Sequence, residues 1–195
     1  MGQRLVITVI QNEEDIAKIY YHWSAYSLSA LQETREVLDC LLNNDNPIKD
    51  LRLRLIRFVE SRGGCIDGGS ESEEFKAIQE MYPNEKFKSD GSRNEGLIAL
   101  TEDGMNSIQS WSEGDVDINL DYGMIYNSVY WSDDFDYYKE QWEEERKNLK
   151  LEDIPEYNIN ISEISFNELD NIISFLNKYH GYEYRIGNMV YSLIA

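Results

Sequence analysis

The sequence predicts an α+β fold, antiparallel hairpins and a sheet packed by several helices, and three observations carry that expectation. Short alternating or β-rich runs occur in pairs around turn residues, at 4–23 and again at 116–131. Between and after them lie segments with apolar residues at helical spacing. The two kinds of segment are mixed without regular βαβ alternation, which argues against a parallel doubly wound sheet. The chain of 195 residues is 42% hydrophobic, enough for the core of one domain, with a possible subdivision near 90–95.

Residues 4–10 read as a strand, Asn12 to Asp15 as a turn, and Ile16 to Trp23 as the returning strand. Ser27 is placed to cap a helix carrying Leu31, Thr34, Leu38 and Leu41, broken by Asn43-Asn44-Asp45. The next helix has Asn46 at the N-cap position, Pro47 at its first position and Gly63-Gly64 beyond its end. Gly63 to Ser72 reads as a glycine-rich connector, and a short helix over about 71–81 stops before Pro83. Gly96 to Leu100 is a buried-strand candidate, and Asp103 is placed to cap a short helix running through Trp111. Val116–Leu120 and Met124–Trp131 form a second hairpin around Asp121-Tyr122-Gly123. An acidic helix is expected over 133–150 and an amphipathic one from Asn167 to Tyr179. Two terminal strands are expected at 182–186 and 189–194.

The net charge is −19, from 37 acidic and 18 basic residues. Such a field repels nucleic acid and anionic membranes and attracts basic surfaces, which in a cell belong mostly to nucleic-acid-binding proteins. The alternative is that the charge only maintains solubility. Its distribution is uneven: residues 1–100 hold 17 acidic and 12 basic residues, whereas residues 101–195 hold 20 and 6. There is no long apolar run and no signal-peptide pattern, and the two cysteines, Cys40 and Cys65, form no CxxC pair. A reducing cytoplasm is therefore expected.

Two acidic patterns stand out. Asp115, Asp117, Asn119 and Asp121 alternate with Val116, Ile118 and Leu120, so a strand places the first set on one face, about 6.8 Å apart. On an edge strand such a row could mimic part of a phosphate track, whose rise is about 3.4 Å per nucleotide. The alternative is a half-exposed strand with carboxylates in water. Asp133, Asp134, Asp136, Glu143 and Glu144 on the acidic helix, beside Tyr138 and Trp142, form a second surface for a basic groove, or a solvated helix face.

Catalytic signatures are weaker. His22, His180, Cys40 and Cys65 lack zinc-finger spacing, so a zinc site of His22 with Cys65 and Asp67 requires the fold to gather them. Otherwise His22 is a hydrogen-bonded structural histidine. Neither cysteine pairs with a histidine in a recognisable catalytic arrangement, and the loop at 63–70 lacks the Lys-Ser/Thr ending of a phosphate loop. Arg52, Arg54, Arg57 and Arg62 share one helix with Asp50 and Glu60 nearby, which predicts internal pairing before any external site.

Three segments, Met1 to Leu5, Tyr21-His22-Trp23-Ser24-Ala25-Tyr26 and Arg93 to Ala99, resemble a family of small proteins encoded by phages and prophages of Firmicutes. Some proteins of this kind are associated with inhibition of type II CRISPR nucleases. The resemblance, over roughly the first 130 residues, implies an inhibitor acting in the cytoplasm of a bacterial host and binding Cas9, with no cofactor required. Cas9 holds nucleic acid in positively charged channels, which an acidic binder would suit. Asp115, Asp117, Asp121, Asp133, Asp134, Asp136, Glu143 and Glu144 are the residues expected to meet that partner. A metal-dependent enzyme and a phage accessory protein without inhibitory role are the alternatives.

Overall fold

In a computed structural model, which describes residues 3–129, 144, 161–174 and 176–177, the opening hairpin forms as its pattern predicts. Strands β1 (Leu5–Gln11) and β2 (Glu14–Tyr21) pair antiparallel from Leu5↔Tyr21 to Gln11↔Glu14. The turn contracts to Asn12 and Glu13, both left-handed, at φ 55° and 63°. Two residues of that hand match the twist of the flanking strands. Glutamate is an unfavoured residue there.

The fold is α+β. Among the described residues a seven-strand mixed, mostly antiparallel sheet packs with five helices. Beyond the hairpin, the strands are β3 (Cys65–Ile66), β4 (Leu97–Ala99), β5 (Gly114–Asn119), β6 (Met124–Ser128) and β7 (Glu163–Ser165). Their order is β3-β4-β2-β1-β5-β6-β7, with β1·β5 and β3·β4 parallel and the other pairs antiparallel. The helices are α1 (Ser27–Leu42), α2 (Leu51–Arg62), α3 (Glu73–Met81), α4 (Glu102–Gln109) and a fifth stretch at 169–174.

One face of the sheet is the main core. Leu5, Ile7, Ile19, Ile98, Val116, Ile118, Ile125 and Ile164 point into it. They meet Leu31 and Leu38 of α1, Leu55, Ile56 and Val59 of α2, and Leu169 and Ile172 of the fifth helix. Each such side chain, fully buried, contributes about 1.5–3 kcal/mol relative to exposure. The outer face is covered on one side only: Val6, Tyr20, Cys65, Leu97 and Ala99 lie beneath Met105 and Ile108 of α4, with Trp111 alongside. That smaller cluster stops at β1.

Helix starts differ from the expected caps. Tyr26, not Ser27, occupies the cap of α1, and no side chain completes it. Asn46 does not start α2. Its Oδ1 instead accepts from the Ile48 N–H across Pro47, and the helix begins after Asp50, whose Oδ1 accepts from the Leu53 N–H. Thr101, not Asp103, caps α4. The end of α2 is as expected: Gly63 is left-handed, φ 101°, and its N–H bonds back to Glu60 O. The expected strands at 182–194 and most of the acidic helix lie outside the described residues; Glu144 is helical and exposed.

The arginines of α2 are largely consumed internally. Buried Arg54 donates to the carbonyls of Ile48, Cys40, Leu41 and Asn43, tying down the end of α1. Arg57 pairs with Glu60 and Glu85, and Arg62 with Glu33 and Glu36. Glu74, also buried, accepts from the N–H groups of Leu100 and Thr101 and from the Thr101 hydroxyl, at the N-terminus of α4. Its position requires Gly104, because a Cβ there would collide with the Glu74 carboxylate.

Candidate functional site

β5 alternates as its sequence demands: Gly114, Val116 and Ile118 are buried, and Asp115, Asp117 and Asn119 turn to the outer face. Its position differs from the expected edge. β5 is hydrogen-bonded on both sides, to β1 and to β6, so its carboxylates form part of a continuous sheet face and not a free rim. The parallel pairing to a strand about a hundred residues earlier is the reason, and no local pattern announces it.

Each of the three carboxylates expected from this hairpin has an internal partner. Asp115 Oδ1 accepts from Gln109 Nε2 and Ser112 Oγ, both at 2.7 Å. The same Gln109 accepts from Lys18 Nζ at 2.7 Å, so its amide links the lysine to the aspartate. Asp117 lies opposite Thr8, which lies opposite Lys18. Burial pushes the Asp117 carboxyl up, opposed by a hydrogen bond from Thr8 and the charge of Lys18. Asp121 leaves the strand and clasps the opening hairpin, its two oxygens accepting from Asn12 N–H and Glu13 N–H at 2.9 Å. The two backbone donors, from Glu13 and then Asn12, hold its carboxyl below the usual range. Asp121 is thereby the compensation for the strained turn. Asp133, Asp134, Asp136 and Glu143 lie outside the described residues.

The fold assembles carboxylates that sequence reasoning did not select. Glu13, Glu14 and Asp15 are exposed at the hairpin tip, beside Asp121 and the 67% exposed Tyr122. Glu163 stands in register with Tyr126, which stands in register with Asp117. Residues 101–129 and 161–177 together hold nine Asp and Glu and no Lys or Arg. That exclusion is visible in the sequence. The approach of residues 13–15 to this region depends on the β1·β5 pairing and is not.

The zinc candidates separate. His22 Nδ1 bonds the Tyr20 hydroxyl at 2.7 Å, and its ring meets Trp23 edge-on. Cys65 lies in β3, in register through Leu97 of β4 with Tyr20 of β2, two residues before His22. Burial and then the charge of Asp67 raise its thiol pKa, so it is not an activated thiolate. Asp67 follows β3. Among the described residues no three His, Cys, Asp or Glu side chains gather to hold a metal ion.

An open cleft of about 690 Å³ separates α1 from the fifth helix, lined by Ser24, Ser29, Glu33, Glu36, Asp170 and Ser174 among others. Arg35, at its wall, bridges Asp39 and Asp170. Burial raises the Glu33 carboxyl, opposed by Arg62.

The three segments that carry the resemblance converge. Gln3 bridges to Trp23, accepts from Ala25 N–H through its carbonyl, and donates from Nε2 to the Tyr26 hydroxyl at 2.5 Å. His22 N–H donates to Arg93 O at 3.2 Å. No protein-family model, curated protein or solved structure matches the chain. Among the described residues no helix is long and apolar enough to cross a membrane.

Proposed function

We propose that this protein acts by binding a basic partner protein through its β5-β6-β7 half and the adjoining hairpin tip. The observation that carries this reading is the charge segregation of that half: residues 114–129 and 161–177 hold six carboxylates and no lysine or arginine. The first hundred residues, with 17 acidic against 12 basic, are themselves net negative and do not offset this field. Glu13, Glu14, Asp15, Asp121, Tyr122, Tyr126 and Glu163 are exposed there; the half-buried Asp115 and Asp117 support them from within. An acidic surface of this kind competes for lysines and arginines that otherwise meet phosphates.

The specific partner we propose, a host Cas9 nuclease inhibited in the manner of an anti-CRISPR protein, follows from the resemblance of the three segments. It is compatible with the positively charged channels of that nuclease. The test is titration into guide-loaded Cas9 at two salt concentrations, scoring target-DNA binding and cleavage. Loss of DNA binding at near-stoichiometric protein, relieved by salt, is expected. Combined Glu13→Lys, Glu14→Lys and Glu163→Lys should weaken inhibition at least about tenfold with the fold intact. Full inhibition by that variant would sink the acidic-surface mechanism. Failure to affect any Cas9 would leave the acidic surface in search of another basic partner.

A further inference from the structure

The end of the sheet opposite the acidic hairpin tip carries cations. Leu5 and Gln11 bound β1, and at about 3.4 Å per residue they lie roughly 20 Å apart. That is more than two screening lengths of about 8 Å at physiological salt, so local charges govern this end. Arg4 precedes β1, His22 follows β2, and the His22 N–H donates to Arg93 O. Burial raises the pKa of the Tyr20 hydroxyl, opposed by the charges of Arg4 and then Arg93, so both guanidinium groups lie near one phenol. His22 Nδ1 is hydrogen-bonded to that same hydroxyl at 2.7 Å.

Arg93 is used differently from most arginines of this acid-rich chain. Arg4, Arg35, Arg57 and Arg62 each hold a carboxylate, and Arg54 is spent on carbonyls. Arg93 is exposed, and among the described residues its side chain has no ion pair and no hydrogen bond; its guanidinium rests on the Trp111 ring at 5.6 Å. Two carboxylates lie close. Glu113 is taken by Arg4 at 2.9 Å, and the half-buried Asp67, raised by burial, feels the charge of Arg93 without pairing to it. A guanidinium stacked on indole keeps its in-plane N–H donors free, and their fork matches two oxygens of a phosphate. Beside this cation stands an open ring. Trp23 is 52% exposed, and the His22 ring holds it edge-on at 4.7 Å. A fixed aromatic face next to an unpaired arginine suits one ligand chemistry, a planar base joined to a phosphate.

We propose that Arg93, with His22 and Arg4 beside it, takes the phosphate of a mononucleotide whose base stacks on Trp23. The site lies apart from the acidic half and does not rest on the basic-partner reading. A nucleic-acid strand offers the same groups, but its length would carry it into the repulsive field of a chain with net charge −19.

The experiment titrates AMP, adenosine and inorganic phosphate into the full chain and follows the tryptophan indole N–H resonances by NMR. AMP should shift the Trp23 resonance, identified by its loss in Trp23→Ala. It should bind at least about fivefold more tightly than inorganic phosphate, the gain one base stack gives. Trp23→Ala should bring AMP down to the level of inorganic phosphate, and Arg93→Ala should bring it down to that of adenosine. Equal melting temperatures verify that both variants fold. No response to AMP, equal binding of AMP and inorganic phosphate, or AMP binding untouched by Arg93→Ala overturns the inference. Tighter binding of a ten-residue oligothymidine than of AMP would assign the surface to single-stranded nucleic acid and also overturn it. Each of these outcomes leaves the acidic-surface reading standing.

Discussion

The two halves of the sheet handle charge in opposite ways. On the β3-β4-β2 side and the helices beneath it, ionised groups serve as fasteners. Arg54 holds the end of α1, Glu74 holds the start of α4, and Arg57 and Arg62 are each shared by two carboxylates. On the β5-β6-β7 side the described residues contain no lysine or arginine at all; Asp115 and Asp121 are held by neutral donors, and Glu163 stands exposed. One half spends charge of both signs on its own architecture; the other carries negative charge alone, partly tied to neutral donors and partly exposed. The contrast separates residues whose loss harms folding from residues whose loss harms binding.

The sharpest break comes from Arg54→Ala. It leaves several buried carbonyls without a donor, and chemical denaturation should register a loss of about 3 kcal/mol. Glu74→Ala should cost somewhat less, about 2 kcal/mol, because two backbone N–H groups and one hydroxyl lose their acceptor while α4 keeps its Thr101 cap. If Arg54→Ala or Glu74→Ala proved neutral, the division between fastening and presenting charge would collapse.

Within the acidic half, Asp117 and Asp121 sharpen the comparison through pH, with smaller effects. Asp117 is raised by burial, so the folded state holds its proton more tightly than the unfolded chain. Its contribution favours folding at low pH and declines as pH rises from the usual carboxylate value to the raised one. Asp121 is lowered, so its contribution is present above the usual value and is lost as pH falls through the folded one. Thermal melts from pH 3 to 7 should show Asp117→Asn gaining stability relative to the parent toward neutral pH. Asp121→Ala should lose stability most at neutral pH, the difference shrinking in acid. Matching slopes for the two variants would contradict the assigned environments.

Much of this architecture was legible from local pattern. The hairpins, the alternation of β5, the glycine stop of α2 and the internal use of its arginines all follow from spacing and punctuation within a dozen residues. What escaped was long-range. β3 is two residues in a glycine-rich loop and β7 three residues after a long gap, and each is a strand only because a neighbour supplies hydrogen bonds. The same applies to the site. Asp115, Asp117 and Asp121 were selected by their period, but their ties to Gln109, Thr8 and the Asn12–Glu13 turn depend on the packing of α4 and β1 against β5. Asn46 and Asp103 were reasonable caps displaced by Asp50 and Thr101, because an Asx turn across Pro47 delays one helix and Thr101 Oγ1 reaches the Gly104 N–H in the other.

The parallel seam between β1 and β5 also dictates an order of events at the ribosome. Arg4 and its partner Glu113 are 109 residues apart, and the whole Leu5–Ile10 edge waits on the segment beyond Gly114. At about 5–20 residues per second, that edge of the nascent hairpin stays unpaired for roughly 5–20 s after it emerges. During that interval a buried strand of the finished protein, rich in valine and isoleucine, is an open template for other chains. Its safe maturation depends on how fast translation delivers one short acidic strand.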